Sequence, residues 1–533
     1  MPPTPTRCEG TSLDRVTRGD RTLVQTWPRD SEQGRGALEP RRDLIEEDLE
    51  VDDANARDAE GWSVTERVFT QAHGPFRSYR RTVTVRDEQV HETIDYRLSI
   101  PWFGWLFARP VRHALRHPRP HVHGTGSDHW WAPPDRLGER QVTALALLAL
   151  ASMAATFANT LFTQTATFAA DRFGVDSGSL GVAGAVVRVG IVLALPVAWL
   201  ADRVGRRRSI VALAWAVPVL CALGAAAPNF WSLVASQTVA RPMGIALAVL
   251  AGVAAAEEMP RNSRAYAISV LAMAAGLGAG VAVAALRLAD LGDDGWRLVY
   301  LLALVWLPVA VTVAGQLEET RRFRTVHRIA QPIDRRRLAL IASVALTSNL
   351  FIAPASYFQN NYLDKVRGYS GGGIALFTLI TSTPASIGLV LGGRLADVVG
   401  RRRLIALCTP ISTTALVMAF VTSGTAMWVS AFVAALLASM AYPAYAVYRA
   451  EMFPTGTRSR ANGIVTATAL LSGSIGILVV GFLHDHGVPY STLIAIMAVG
   501  QLAAAVIAYS QYPETAHLEL EDINPEDPHI GDE

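Results

Sequence analysis

The chain has 533 residues, 51% of them hydrophobic, and balances 48 basic against 46 acidic side chains for a net charge of +2. That length is too great for one soluble core, and so large an apolar fraction points to lipid as the solvent. The net charge itself is uninformative, because the charges are confined to short connectors and the two ends; no nucleic-acid partner is expected.

Residues 1 to about 60 are polar, carry the acidic patch IEEDLEVDD (Ile45 to Asp53), and are expected to form a disordered tail. The first 30 residues contain no apolar signal-peptide core, so the first membrane segment is expected to do the targeting. Residues 61–136 read as a small cytoplasmic or membrane-surface module. Within it, SYRRTVTVRDEQVHETIDYRLSI alternates with period two on either side of Asp87-Glu88, the pattern of a β-hairpin. The following IPWFGWLFARPVRHALRH is too short and too basic to span a bilayer, and fits a segment lying on the inner membrane surface. Five histidines between His113 and His129 match no standard ligand spacing. They read as part of a basic juxtamembrane arm; no metal and no cofactor are expected.

From about residue 141 to residue 510 the chain becomes a series of apolar segments, each long enough to cross roughly 30 Å of hydrocarbon. Twelve are expected, over about 141–170, 178–201, 208–227, 230–256, 263–287 and 296–316, then 338–363, 373–396, 404–423, 427–448, 461–483 and 489–510. Lipid offers free backbone groups no partner, so these must be helices. An all-α membrane protein follows, with one half over 137–316, a central loop over 317–337, a second half over 338–510 and an acidic tail over 511–533. If the first span starts in the cytoplasm, the inside connectors hold about 20 basic residues and the outside ones about 5. The positive-inside rule then places both ends, and the N-terminal extension, in the cytoplasm. Of the three cysteines, Cys8 lies in the tail while Cys221 and Cys408 fall inside apolar segments, so no disulfide framework is expected.

The two halves repeat. LADRVGRRR (Leu200 to Arg208) returns as LADVVGRRR (Leu395 to Arg403), with Asp202 and Asp397 separated by 195 residues. Glu257-x-x-Pro260-x-x-x-Arg264 returns as Glu451-x-x-Pro454-x-x-x-Arg458 at an offset of 194, and Glu319-Thr320 as Glu514-Thr515 at 195. Three charged landmarks at one offset imply two copies of a six-helix unit, the arrangement of alternating-access transporters.

These phrases resemble the charged signature between the second and third helices of the major facilitator superfamily and its echo between the eighth and ninth. AEMFPTGTRS and YPETAHLELEDI are similar to segments of the sugar porter and metabolite:proton symporter branches. The resemblance implies twelve helices in two pseudo-symmetric halves and a gating role for the motif residues. Asp202, Gly205, Arg206 and Glu257 of the first half, with Asp397, Gly400, Arg401 and Glu451 of the second, are expected to form a latch, and Arg264 and Arg458 to partner its acids. A carboxylate at a helix end bonds the start of a neighbouring helix and adjacent guanidinium groups, a contact that must break when the halves rock. Arg207, Arg208, Arg402 and Arg403 are expected only to fix topology.

Ionisable groups inside a span normally face a cavity or a partner. Arg241 matches the arginine that the superfamily carries in its fourth helix; Arg188, in the second span, lines the cavity, snorkels to the interface or pairs with Asp171. The superfamily places helices one, four, seven and ten around the cavity. Asn159, Gln164, Gln237, Asn349, Gln359, Asn360, Tyr442 and Tyr445 are the remaining candidates there. Tyr442, Tyr445 and Tyr448 share a face that packing against another helix explains equally well. The first span offers Asn159 and Thr160 in place of the usual acid, which weakens proton coupling and a sugar substrate. Two arginines without a matching acid favour a carboxylate. The expected protein is a monomeric multi-pass secondary transporter of the cell membrane, not an enzyme. It would import a small sugar or carboxylate with an ion, protons in the first place. The alternatives are a drug or metabolite exporter and a transporter-derived membrane sensor.

Overall fold

The computed structural model describes residues 21–57, 63–86, 88–117, 131–175, 177–326, 332–369 and 371–527. The chain divides into two compact units, Met1–Ala146 and Leu147–Glu533.

The first unit is built on five strands, β1 (Arg21–Pro28), β2 (Glu46–Arg57), β3 (Ser63–His73), β4 (Phe76–Arg86) and β5 (Gln89–Leu98), with a short helix α1 (Glu32–Ala37) after β1 and α2 (Gly104–Arg116) after β5. They form one antiparallel sheet in the order β1-β5-β4-β3-β2. The expected hairpin is the β4–β5 pair, in register from Arg86↔Gln89 towards Phe76↔Leu98. The expectation of a structureless tail to about residue 60 is corrected: β1 and β2 lie inside it, and the acidic patch is mostly an edge strand. Buried charge ties it in. Arg81 of β4 and Glu92 of β5 are both buried and lie 3.3 Å apart within the hairpin. Glu47 of β2 lies 2.5 Å from Arg81 Nη2, while Arg41 reaches Glu92 at 2.8 Å, so the tail adds one acid and one base and extends the pair to a balanced network of four. Arg81 and Glu92 each gain a second partner of opposite charge in this dry site. Helix α2 falls within the segment expected to lie on a membrane surface, and it buries one face: Val111, Ala114 and Leu115 pack with Ile45, Phe76, Tyr79 and Ile94 of the sheet unit. His121, His123 and His129 lie outside the described residues, as does Cys8.

The spans make up the second unit, apart from the first residues of the first span, which belong to the first unit. The first span is α3 (Glu139–Phe173); the second is α4 (Ser177–Val189) and α5 (Ala194–Val204), joined by a 3-10 turn over Gly190–Leu193. Then come α6 (Arg206–Ala222), α7 (Phe230–Glu258), α8 (Arg264–Ala284), and a sixth span made of α9 (Gly295–Leu301) and α10 (Leu307–Gln316). A short α11 (Arg321–Val326) leads to the second half: α12 (Arg335–Asn361), α13 (Gly371–Val398), α14 (Arg401–Val421), α15 (Gly424–Glu451), α16 (Arg458–Asp485) and α17 (Tyr490–Gln511), followed by α18 (Leu520–Ile523). Twelve spans result, as expected. Among the described residues, 11 helical segments are long and apolar enough to cross a bilayer. The second and sixth spans each contain a 3-10 segment; in the second, Pro196 has no N–H for the carbonyl four residues back, and the helix tightens just ahead of it. Spans approach closely where side chains are small. A Cβ on Gly278 of α8 would lie 2.2 Å from the carbonyl oxygen of Met153 in α3, so only glycine fits that crossing.

Candidate functional site

The charged phrases sit at two tight corners. At the first, α5 ends at Val204 and α6 starts at Arg206, with Gly205 between them at φ +117°. A side chain there would be strained, and its Cβ would fall 2.4 Å from Glu319 Oε2. Glycine is needed because that carboxylate caps α6, accepting from the N–H groups of Arg206 at 2.9 Å and Arg207 at 3.1 Å. The second corner repeats the device. Gly400 has φ +113°, and Glu514 accepts from the N–H groups of Arg401 at 3.0 Å and Arg402 at 3.1 Å.

The motif acids reach across to the other half. Asp202 accepts from Arg206 Nη1 at 2.8 Å, from the N–H of Ser459 at 3.1 Å and from that of Arg460 at 2.8 Å. It thereby caps α16, whose own cap residue Thr457 makes no side-chain bond to the helix N–H groups. Asp397 accepts from Arg401 Nη2 at 3.1 Å and from the N–H groups of Ala265 at 3.2 Å and Tyr266 at 2.9 Å, capping α8, which Ser263 leaves uncapped. Each half therefore supplies the cap that a helix of the other half lacks.

The remaining motif residues interlock in the same crossed sense. Glu257 lies 3.1 Å from Arg206 of its own half and 2.9 Å from Arg458 of the other, and Thr320 Oγ1 donates to it at 2.7 Å. Glu451 is paired with Arg401 of its own half, and Arg264 of the other half lies 3.2 Å away. The eight motif side chains are buried, and each corner balances two acids against two arginines. Arg206 Nη2 also donates to the carbonyl of Thr455 at 2.5 Å, a further bond from first half to second. The chain after α17 crosses the same ground. Glu519 meets Arg264 at 3.2 Å, Asn524 donates to the carbonyl of Glu451 at 2.7 Å, and Asp527 accepts from the N–H of Thr455 at 2.9 Å.

The cavity candidates are less gathered. Asn159 of α3 faces Gly244 of α7, where a Cβ would lie 2.6 Å from Asn159 Oδ1; Arg241, three residues earlier, is partly buried. Gln237 is buried and points to α6, donating to Ser236 Oγ at 3.2 Å and to the carbonyl of Cys221 at 3.5 Å. Gln164 and Gln359 are partly buried, and Asn349 donates to its own helix at Ala345, 3.2 Å away. The side chains of Arg188 and Asn360 lie outside the described set. The tyrosine stripe divides, because steps of three residues drift around a helix of 3.6 residues per turn. Tyr442 is exposed, Tyr445 meets Thr409 Oγ1 at 3.2 Å, and Tyr448 donates to the carbonyl of Pro513 at 2.9 Å.

A family model described as Major Facilitator Superfamily matches residues 147–358 and 338–527, one match over each half. The chain belongs to the major facilitator superfamily. It is therefore a multi-pass membrane transporter by family. A putative metabolite transport protein of Haemophilus influenzae is 26% identical over 324 residues, covering 56% of this chain and 78% of that protein. The proton:xylose symporter XylE, solved with 6-bromo-6-deoxy-D-glucose, superposes with a TM-score of 0.61 at 17% identity, over 73% of this chain and 99% of that one. The human organic anion transporter MFSD10 does so with a TM-score of 0.56 at 14% identity, over 69% and 99%. At such identities these two likenesses speak for the major facilitator fold alone.

Within this superfamily member, sequence reasoning singled out the residues that meet at the two corners but assigned no role to Glu319, Thr320, Glu514 or Thr515. Their signal was present, as the Glu-Thr pair repeated at 195. Its meaning needed the structure, because the capped helix starts over 100 residues earlier. Asn524 and Asp527 carried no repeat signal at all.

Proposed function

We propose that this protein moves a small polar or anionic metabolite, of the sugar or carboxylate class, across the cell membrane by alternating access. In this reading it works as a monomer that imports its solute with a coupling ion, protons in the first place. The arginine-rich latch and both chain ends face the cytoplasm, where positive charge is retained.

The observation that carries the reading is the crossed capping by Asp202 and Asp397. Opening the latch end strips the first turns of α16 and α8 of the side-chain caps that Asp202 and Asp397 supply and separates Arg458 from Glu257 and Arg264 from Glu451. Water then replaces each lost bond, so the two arrangements are close in energy while the barrier between them is set at the corners. Arg241 supports an anionic solute: it sits well inside α7, next to Pro242, and a guanidinium holds a carboxylate through two parallel bonds. The names of related proteins, a metabolite transporter, a xylose symporter and an organic anion transporter, bracket the same solute classes.

The test is uptake into proteoliposomes of a panel of sugars, carboxylates and amines at two pH values. Uptake of at least one carboxylate or sugar is expected, stimulated by an inward proton gradient; flux that ignores the gradient would remove proton coupling. Arg241→Gln is expected to abolish uptake while the protein still assembles and melts normally. Unchanged uptake would sink the anionic reading.

A further inference from the structure

Helix α2 buries one face and leaves another for which the sheet has no use. Val111, Ala114 and Leu115 lie against the strands, which accounts for the helix as part of the module. On the exposed side stand Trp105 at 70% and Leu106 at 53% exposure, followed by Arg109 and Arg116 in the next turns. Trp102, at the head of the helix, is 51% exposed and has φ +63°, a left-handed conformation that a bulky side chain rarely adopts.

We propose that this exposed face of α2 is a bilayer-docking surface, with Trp105 and Leu106 entering the interface and Arg109 and Arg116 taking anionic lipid headgroups. Three observations favour a membrane over a protein. Tryptophan and arginine beside leucine are the residues that settle at the headgroup boundary, rings below and guanidinium groups above. The surface also sits at the point where the chain becomes apolar. Thr143 Oγ1, early in the first span, donates at 3.0 Å to the carbonyl of Ser99, three residues before Trp102. Arg136 fastens the lead-in to that span as well, bonding the carbonyl of Asp43 and the Glu46 carboxylate, each at 2.9 Å. A face of arginines, finally, repels a second copy of itself.

The test uses the full chain in lipid nanodiscs, in a Cys8→Ser background that leaves Cys221 and Cys408, both buried. A nitroxide is attached at Leu106→Cys or, as control, at Arg80→Cys; Arg80 is exposed and sits between buried Tyr79 and Arg81 on the opposite face of the sheet. The ratio of oxygen to water-soluble nickel-chelate accessibility is expected to be several-fold higher at 106 than at 80. It should rise further when a third of the lipid is phosphatidylglycerol, and Trp105→Asp should bring it down to the control value. A label at 106 as open to nickel as that at 80 would overturn the proposal. So would a label shielded from both probes, which would mean that protein covers the face. Equal immersion with and without anionic lipid would overturn the headgroup assignment.

Discussion

The two corners of the latch carry the same charges but are packed in opposite ways. At the first, Ala198 of α5 faces Gly463 of α16, and a Cβ on that glycine would lie 3.0 Å from the alanine methyl. At the second, the glycine is on the other partner: Gly393 of α13 faces Ser269 of α8, where a Cβ would lie 2.0 Å from Ser269 Oγ and 2.9 Å from the carbonyl of Ala265. Positions 198 and 393 are separated by the repeat offset, as are 269 and 463. The electrostatic set is therefore the same in both halves, whereas the steric space lies on one helix at the first corner and on its partner at the second. A cap or an ion pair requires a particular atom at a particular distance, while a close crossing requires only that two volumes fit.

The largest way to break this equivalence is to remove the central acids. Glu257→Gln leaves Arg206 and Arg458 short of charge in a dry site, and Glu451→Gln does the same to Arg401 and Arg264. Each should destabilise the closed latch by about 3–5 kcal/mol. Spin-label distances across the latch end would show a shift to the open arrangement. Equal shifts would support two equivalent corners, and a shift from only one would show that a single corner governs closure.

Next come the caps. Asp202→Asn and Asp397→Asn keep the shape but weaken charge-assisted bonds by about 1.5–3 kcal/mol. Transport should slow through the exchange step while equilibrium solute binding survives; loss of binding with an unchanged exchange rate would contradict the latch. The steric difference is tested by Gly393→Ala, expected to cost about 1–3 kcal/mol in thermal stability through overpacking. Ser269→Gly should recover part of that loss. The converse pair, Gly463→Ser with and without Ala198→Gly, should behave alike if the corners differ only in where the space lies.

The smallest effect concerns the tail. Burial by itself would raise the Glu521 carboxyl, but the hydrogen bond and charge of Arg322 outweigh it and hold the group below its ordinary value. A depressed carboxylate contributes to docking above its free pKa of about 4.3, and that contribution disappears as pH falls through the lowered value. Proteolytic release of the tail should therefore increase below about pH 4, and Glu521→Gln should flatten that dependence.

Sequence alone determined the spans, the doubling and the charged landmarks, because a carboxylate or arginine cluster in an apolar chain stands out and its spacing survives in the numbering. It also placed the β4–β5 hairpin, whose alternation is local. Tertiary structure decided which arginine meets which acid. Glu257 is 51 residues from Arg206 and 201 from Arg458, yet the two lie within 0.2 Å of the same distance. Only helix packing selects such partners. The same reason hid β1 and β2: β1 is placed by pairing with β5 and β2 by pairing with β3 and by the contact of Glu47 with Arg81, none of which shows in a local run of residues. It also dispersed the tyrosine stripe, since the neighbour each ring meets depends on how α15 is packed. What repeats along the chain was legible beforehand; what depends on two distant segments meeting was decided only when they met.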